Sequence, residues 1–224
     1  AERFGGWLGR HGGAGADVFR FTAVSDSPYA GFGYHWWDRF NDGAGKRDII
    51  TDFTTAYNAV LAHEFQHMIH WHQDSNEDTW VNEGASDLSE QLNGYAWSRG
   101  SVGQFEANPD LQLTTWTDDP DRLVAHYGAS YLFLRYFLDR LGPDALRALI
   151  QHEENGIAGF DAVLQDKGLN FDTLFADWLV ANLLDDPLLG EGEFGYREVD
   201  VHVRAARRMA SYPQKEVGRV HQYA

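Results

Sequence analysis

The first 53 residues alternate between Gly-rich stretches and short runs of β-branched and aromatic side chains. Residues 18–24 alternate apolar and polar positions, residues 31–37 are rich in aromatic side chains, and residues 48–53 follow a turn rich in Gly and Asp. Runs of this length between turn residues are typical of β-strands. We therefore predict three strands that form a small, mixed N-terminal β-sheet.

The pattern changes near residue 55, where good helix formers replace the alternation. Thr54 or Thr55 can cap a helix, no Gly or Pro interrupts residues 55–73, and the polar residues 74–76 end the segment. Further along the chain, apolar positions again recur at helical spacing. The predicted helices are 79–97, 122–141, 143–152, 158–167 and 171–184, and an alternating strand is predicted at 196–203.

These elements predict an α+β fold in a single domain, residues 1–224, because a chain of this length can bury one substantial core. An upper α+β lobe at about 1–75 would contain the sheet and the first helix. A lower, mainly helical lobe is expected at about 76–186, followed by a C-terminal tail at about 187–224.

The composition narrows the classes of function. A net charge of −16 argues against nucleic-acid binding, because phosphate contacts need clustered Lys and Arg. The absence of Cys excludes disulfides, thiolate metal ligands and a cysteine nucleophile. No run of about 18 apolar residues occurs, so no membrane span is predicted. The chain starts at Ala1 without a Met or a signal peptide, and we expect an excised mature or catalytic region.

Residues 63–67 read His-Glu-Phe-Gln-His and lie well inside the first predicted helix. Residues four apart share one face of an α-helix, so His63 and His67 can direct two imidazoles at one metal ion. Glu64 lies beside them and is available to accept a proton. This spacing is typical of zinc-dependent hydrolases, in which the glutamate acts as general base.

A third ligand is expected on the next helix. Catalytic zinc usually takes three protein ligands and leaves the fourth position to water. Glu83 is the natural third ligand, and Asp87 shares its helix face four residues later. Because a carboxylate often accepts the second ring N–H of a zinc-bound histidine, we predict that Asp87 contacts a ligand imidazole, that of His63.

Two other metal patterns are alternatives to this one. The zinc motif with a third histidine requires His six residues after His67 and Gly three residues after it, whereas Gln73 and His70 occupy those positions. That pattern is therefore rejected. Ca²⁺ stays an alternative without a motif, since the acidic residues 118, 119 and 121 are more typical of a solvated surface.

Three segments together resemble the hyicolysin family of secreted bacterial zinc endopeptidases: residues 63–69 (HEFQHMI), 80–87 (WVNEGASD) and 126–136 (HYGASYLFLRY). More broadly, they are similar to gluzincins, the class with two His and one Glu on zinc that includes thermolysin and aminopeptidase N. The Asn-Glu-x-x-Ser-Asp run at 82–87 is similar to the thermolysin pattern around its third ligand. Glu83 follows the first motif more closely than in thermolysin-like enzymes, so the connecting loop must be shorter.

The resemblance implies a gluzincin-type two-lobe metallopeptidase with one Zn²⁺ per chain, acting on a protein or peptide substrate outside the cell. Aminopeptidase relatives carry a Gly-x-Met-Glu-Asn run before the zinc helix, and this run is missing here, which favours an endopeptidase. The segment 31–37 is expected to offer a strand edge to an extended substrate.

The resemblance also implies a donor for the oxyanion on a later helix. Related enzymes carry a Tyr or His there, and Tyr127 is the first choice, with His126 and then Tyr131 as alternatives. Two other classes of function stay open. One is a non-catalytic zinc-binding or adhesion module, against which the intact Glu64 argues. The other is metal-assisted hydrolysis of a non-peptide substrate.

Overall fold

The computed structural model of the chain describes residues 46–97, 99–204, 211, 222 and 223. Contacts divide the chain into two units, Ala1–Phe53 and Thr54–Ala224. In the first unit the described residues are 46–53, which form the beginning of a helix. The helices are α1 (Lys46–Gln73), α2 (Thr79–Leu92), α3 (Arg99–Ala107), α4 (Pro120–Leu141), α5 (Pro143–Ile150), α6 (Gly156–Gln165) and α7 (Phe171–Leu184).

The predicted α+β class is wrong, since the described part of the chain contains seven helices and no strand. Two of the expected strands, 18–24 and 31–37, lie outside the described residues. The third, 48–53, is part of α1. Ile49, Ile50 and Phe53 fit helical spacing as well as strand composition, and no Gly or Pro separates them from the helix formers that follow. Continuity with a long helix therefore overrides the β-propensity of this short segment.

The strand predicted at 196–203 is also wrong, because this segment pairs with no neighbouring strand among the described residues. Its backbone N–H groups bond to carboxylates instead. Those of Tyr196 and Val201 donate to the two side-chain oxygens of Asp185, at 3.1 and 2.8 Å. The N–H of Arg197 donates to Asp139 at 3.1 Å. Side chains thus satisfy donors that a sheet would otherwise satisfy.

The helices after α1 largely agree with the sequence. The prediction for 171–184 is confirmed at both ends, and α4, α5 and α6 lie within two residues of their predicted starts. Helix α2 ends at Leu92 rather than 97, because Gly94 adopts a positive φ of 83° that stops the helix. Helix α3 was not predicted. Among the described residues, no helix combines the length and the apolar character needed to cross a lipid bilayer.

Two glycines allow α2 and α3 to pack closely against α4. A Cβ on Gly84 of α2 would lie 2.7 Å from the backbone oxygen of Ser130, and one on Gly128 of α4 would lie 2.2 Å from that of Ser101. Neither distance leaves room for a side chain. Because Gly84 follows Glu83 directly, its contact with α4 fixes the depth at which the glutamate is held.

The start of α2 is anchored in an aromatic core. Trp80 is 1% exposed and stacks on Phe160 with ring centroids 5.5 Å apart. Phe133 and Phe171 meet the same indole edge-on, at 5.8 and 6.0 Å. Truncation of a buried tryptophan to alanine costs about 3–5 kcal/mol, so this cluster holds α2 firmly in place. The residues that follow Trp80 on α2 are therefore held in place as well.

Candidate metal centre

Two histidines on one face of α1 bring ring nitrogens together. The Nε2 atoms of His63 and His67 lie 3.0 Å apart. Their ring centroids are 4.7 Å apart, and the ring planes are inclined by 79°. The arrangement follows from the helix, since a spacing of four residues stacks side chains on successive turns. Both rings are partly buried, so they face neither open solvent nor the apolar core.

Glu83 on α2 completes the group from the opposite side. Its Oε2 atom lies 3.4 Å from Nε2 of His63 and 3.5 Å from Nε2 of His67. These three atoms form a group whose geometry could hold a metal ion. The rigid docking of α2 on α4, through Gly84, determines where this carboxylate lies relative to α1.

The edges of this triangle fit a tetrahedral zinc site. Zinc bonds of about 2.0–2.1 Å to nitrogen and oxygen place neighbouring ligand atoms of a regular tetrahedron about 3.3–3.4 Å apart. The three measured separations are 3.0, 3.4 and 3.5 Å. Two histidines and one glutamate are also a known ligand set for catalytic zinc, in which a fourth position is left open. The residues present therefore fit this metal.

The outer ring nitrogens are held by acceptors on α2. Nδ1 of His63 lies 3.0 Å from Oδ1 of Asp87, as the sequence predicts. Nδ1 of His67 lies 2.5 Å from Oδ1 of Asn82 and 3.0 Å from Oγ of Ser86. A ring N–H on Nδ1 satisfies these acceptors and leaves each Nε2 with a lone pair directed at the centre of the triangle.

Three electron-rich atoms that face one point require a cation between them. Without a metal ion, protons fill this role. Burial lowers the pKa of His63, but hydrogen bonds to Asp87, Glu83 and Glu90 outweigh it and raise that pKa to about 12. Burial likewise raises the pKa of Glu83, yet hydrogen bonds from His63 and His67 bring it down to about 2. A metal ion that replaces the shared protons would satisfy the same atoms.

Glu64 lies on α1 next to His63, and its side chain is exposed. Within residues 46–97 and 99–204 it makes no hydrogen bond or ion pair, which leaves it open to water. Two surface depressions of 490 and 510 Å³ are lined by other parts of the chain. The first is lined by Trp97, Asp185, Pro187 and residues 196–200, and the second by residues 107–111 with Arg122 and Ala125. Neither of these two depressions includes a residue of the His63–His67–Glu83 group, which is defined by its converging side chains.

The three candidates for an oxyanion donor are placed differently. His126 is buried and Tyr127 is half-buried, and both rings pack against Trp116, at 5.8 and 5.0 Å between centroids. Neither belongs to the His63–His67–Glu83 group. Tyr131 is 1% exposed, and its hydroxyl donates to Oε1 of Gln91 at 2.7 Å. Tyr131 is therefore occupied inside the core, which leaves Tyr127 and His126 as the candidates.

Sequence reasoning missed three residues around the ligands, and helical spacing could have identified them. Asn82 and Ser86 flank Glu83 and Asp87 on α2 and hold His67, while Glu90, three residues beyond Asp87, approaches His63. Positions 82, 83, 86, 87 and 90 recur at intervals of three and four, which places them on one face of a helix. All five face the histidines of α1.

No family model matches the chain, and no curated protein matches it significantly. The resemblance to the hyicolysin family therefore rests on the three motif segments and stays a prediction. The geometry of the candidate centre is independent of it.

Proposed function

We propose that this chain is a zinc-dependent metalloendopeptidase of the gluzincin type. The observation that carries the proposal is the convergence of Nε2 of His63, Nε2 of His67 and Oε2 of Glu83 within 3.5 Å of one another. Outer acceptors fix both rings in the tautomer that a metal ion needs. A histidine pair placed by chance on a helix would not bring this outer set with it.

The groups around the centre have different roles in the proposed hydrolysis. When bound, zinc would lower the pKa of a water from 15.7 to about 7 and polarise a carbonyl oxygen. Glu64 would accept a proton from the attacking water and pass it to the leaving amine, as general base and then general acid. The exposed position of Glu64 beside His63 supports this role, because the group must reach both water and substrate. The hyicolysin resemblance supports a peptide substrate and action outside the cell.

The test is to replace Glu64 by Gln, which removes the proton acceptor and keeps the size of the side chain. Glu64→Gln should retain one zinc per chain by metal analysis while casein digestion falls by about 10²–10⁴-fold, the usual contribution of a general base. The matched control is Glu153→Gln, which removes an exposed glutamate from the loop between α5 and α6.

Each outcome separates a class of function. Digestion at the parent rate by Glu64→Gln would show that Glu64 is not the base. A parent protein that binds zinc and hydrolyses neither casein nor small esters would indicate a binding or adhesion module. Ester hydrolysis without casein digestion would indicate a hydrolase of non-peptide substrates.

We assign the oxyanion donor to Tyr127, as the resemblance implies. Tyr127→Phe removes only a hydroxyl and should leave KM nearly unchanged while kcat falls by roughly 10²–10³-fold, because the contact forms mainly in the transition state. Steady-state kinetics on a fluorogenic peptide measures both constants. If His126→Ala gives this result and Tyr127→Phe does not, the donor is the histidine. If neither changes kcat, Trp116 holds both rings only as packing residues.

A further inference from the structure

The two ligand histidines differ in what holds their outer nitrogens. Nδ1 of His67 meets neutral acceptors, the amide oxygen of Asn82 and the hydroxyl of Ser86. Nδ1 of His63 faces two carboxylates, with Oδ1 of Asp87 at 3.0 Å and Oε1 of Glu90 at 3.4 Å. One ring N–H therefore has two negatively charged acceptors within reach.

Glu90 is directed at this nitrogen by its position on α2. It lies three residues after Asp87 and seven after Glu83, so all three carboxylates share a helix face. Its side chain is 19% exposed, and the side chains of Asp87 and His63 are 10% and 15% exposed. In the described part of the chain, the carboxylate of Glu90 has no other ion pair. The ion pair with His63 therefore explains where the carboxylate of Glu90 lies.

We propose that Glu90 is a second positioning residue for the metal centre, which shares the N–H of His63 with Asp87. Two acceptors on one donor keep His63 in the metal-facing tautomer and orientation even when one of them is lost. The inference rests on the proposed zinc site, and it assigns to α2 two charged acceptors for the outer nitrogen of His63, whereas the two acceptors of His67 are neutral.

If Asp87 and Glu90 share the N–H of His63, measurements of zinc affinity should reveal it. Zinc Kd can be measured by competition with a chromophoric chelator for the parent, Asp87→Ala, Glu90→Ala and the double variant. Loss of an outer partner weakens metal binding by about 10–100-fold. Each single variant should lose about 10-fold or less, because the other carboxylate still accepts the N–H. The double variant should lose more than the product of the two single losses.

A second comparison separates positioning from charge. Glu90→Gln keeps an oxygen acceptor and loses the charge, whereas Glu90→Ala loses both. In the Asp87→Ala background, Gln at position 90 should restore most of the zinc affinity that Ala removes. The control Glu153→Ala removes one exposed carboxylate outside the centre and should keep the parent Kd.

The outcomes distinguish the inference from the proposed function. Failure of the parent to bind zinc would contradict both the proposed function and the role of Glu90. If the parent binds zinc and the double variant loses no more than the product of the single losses, only the shared-acceptor role of Glu90 is overturned. Equal affinities for Gln and Ala at position 90 would likewise overturn it and leave an effect of charge alone.

Discussion

Two histidines of α1, His67 and His70, each lie near a glutamate, and the two pairs have opposite properties. His67 faces Glu83 with Nε2 3.5 Å from Oε2, and its other nitrogen is bonded to Asn82. His70, three residues later, is 0% exposed and has Nε2 3.8 Å from Oε2 of Glu77. Within the described residues, neither ring nitrogen of His70 has a hydrogen-bond partner.

The pKa values of the two histidines therefore shift in opposite directions. Burial lowers the pKa of His67, but hydrogen bonds to Glu83 and Asn82 outweigh it and raise that pKa. Burial lowers the pKa of His70 to about 4 and raises that of Glu77 to about 7. Proximity of a histidine to a glutamate is therefore not enough to indicate a metal site. Of these two pairs, the one at His67 also has a third group nearby that could bind a metal and a bonded outer ring nitrogen.

The largest effect is expected when each of the two histidines is removed in turn. His67→Ala should lose far more zinc affinity than the about 10–100-fold that an outer partner contributes, because a direct ligand is gone. His70→Ala should keep the parent zinc stoichiometry and Kd, measured by metal analysis and chelator competition. Circular dichroism of both variants checks that the fold is retained.

The opposite result would reverse the assignment. Full zinc content in His67→Ala, or loss of zinc in a folded His70→Ala, would show that the two pairs have been distinguished wrongly.

A smaller effect is expected from Asp87, which gives His63 the outer partner that His70 lacks. Asp87→Ala should weaken zinc binding by about 10-fold, the lower end of the range for such partners, because Glu90 still faces the same nitrogen. Chelator competition measures it against the parent. Unchanged Kd and unchanged peptide hydrolysis would show that Asp87 is a buried helix carboxylate without a role at the metal centre.

The sequence predicts which candidate ligands share a helix face, because local geometry determines this. His63 and His67 are one turn apart on a helix without breakers, and Asp87 is one turn from Glu83. The 3.6-residue period alone places such pairs on a common face. Their meeting across α1 and α2 depends on tertiary packing, which Gly84 and Trp80 determine and which periodicity does not show.

The predicted α+β fold class is wrong for the same reason. Residues 48–53 have strand composition and form helix because they continue into α1. Residues 196–203 alternate apolar and polar positions, but their backbone N–H groups donate to the carboxylates of Asp185 and Asp139. Both outcomes depend on neighbours distant from the local pattern. Helical spacing places Glu90 on the same face as Glu83 and Asp87, whereas its distance from His63 depends on the packing of two helices.

The weakest effect concerns the buried pair of His70 and Glu77. Oε1 of Glu77 accepts the backbone N–H of Gly156 at 2.8 Å and of Asp78 at 2.6 Å, while Oε2 faces His70. The pKa of Glu77 is raised from 4.5 to about 7, so its stabilising contribution is complete below pH 4.5 and is lost as the pH rises through 7. The pKa of His70 is lowered from 6.5 to about 4, so its contribution is complete above pH 6.5 and is lost as the pH falls through 4.

Glu77→Gln removes one of these opposing dependences and keeps the acceptor for Gly156. The variant should gain stability relative to the parent as the pH rises from 4.5 to 7, because Gln cannot ionise in the unfolded chain. The expected gain is on the order of 1–3 kcal/mol, since each unit of pKa shift corresponds to about 1.4 kcal/mol. Urea unfolding at several pH values, with a chelator present to remove metal, measures the difference. A constant difference between variant and parent across this range would show that Glu77 does not hold its proton on folding, and the contrast with Glu83 would then rest on geometry alone.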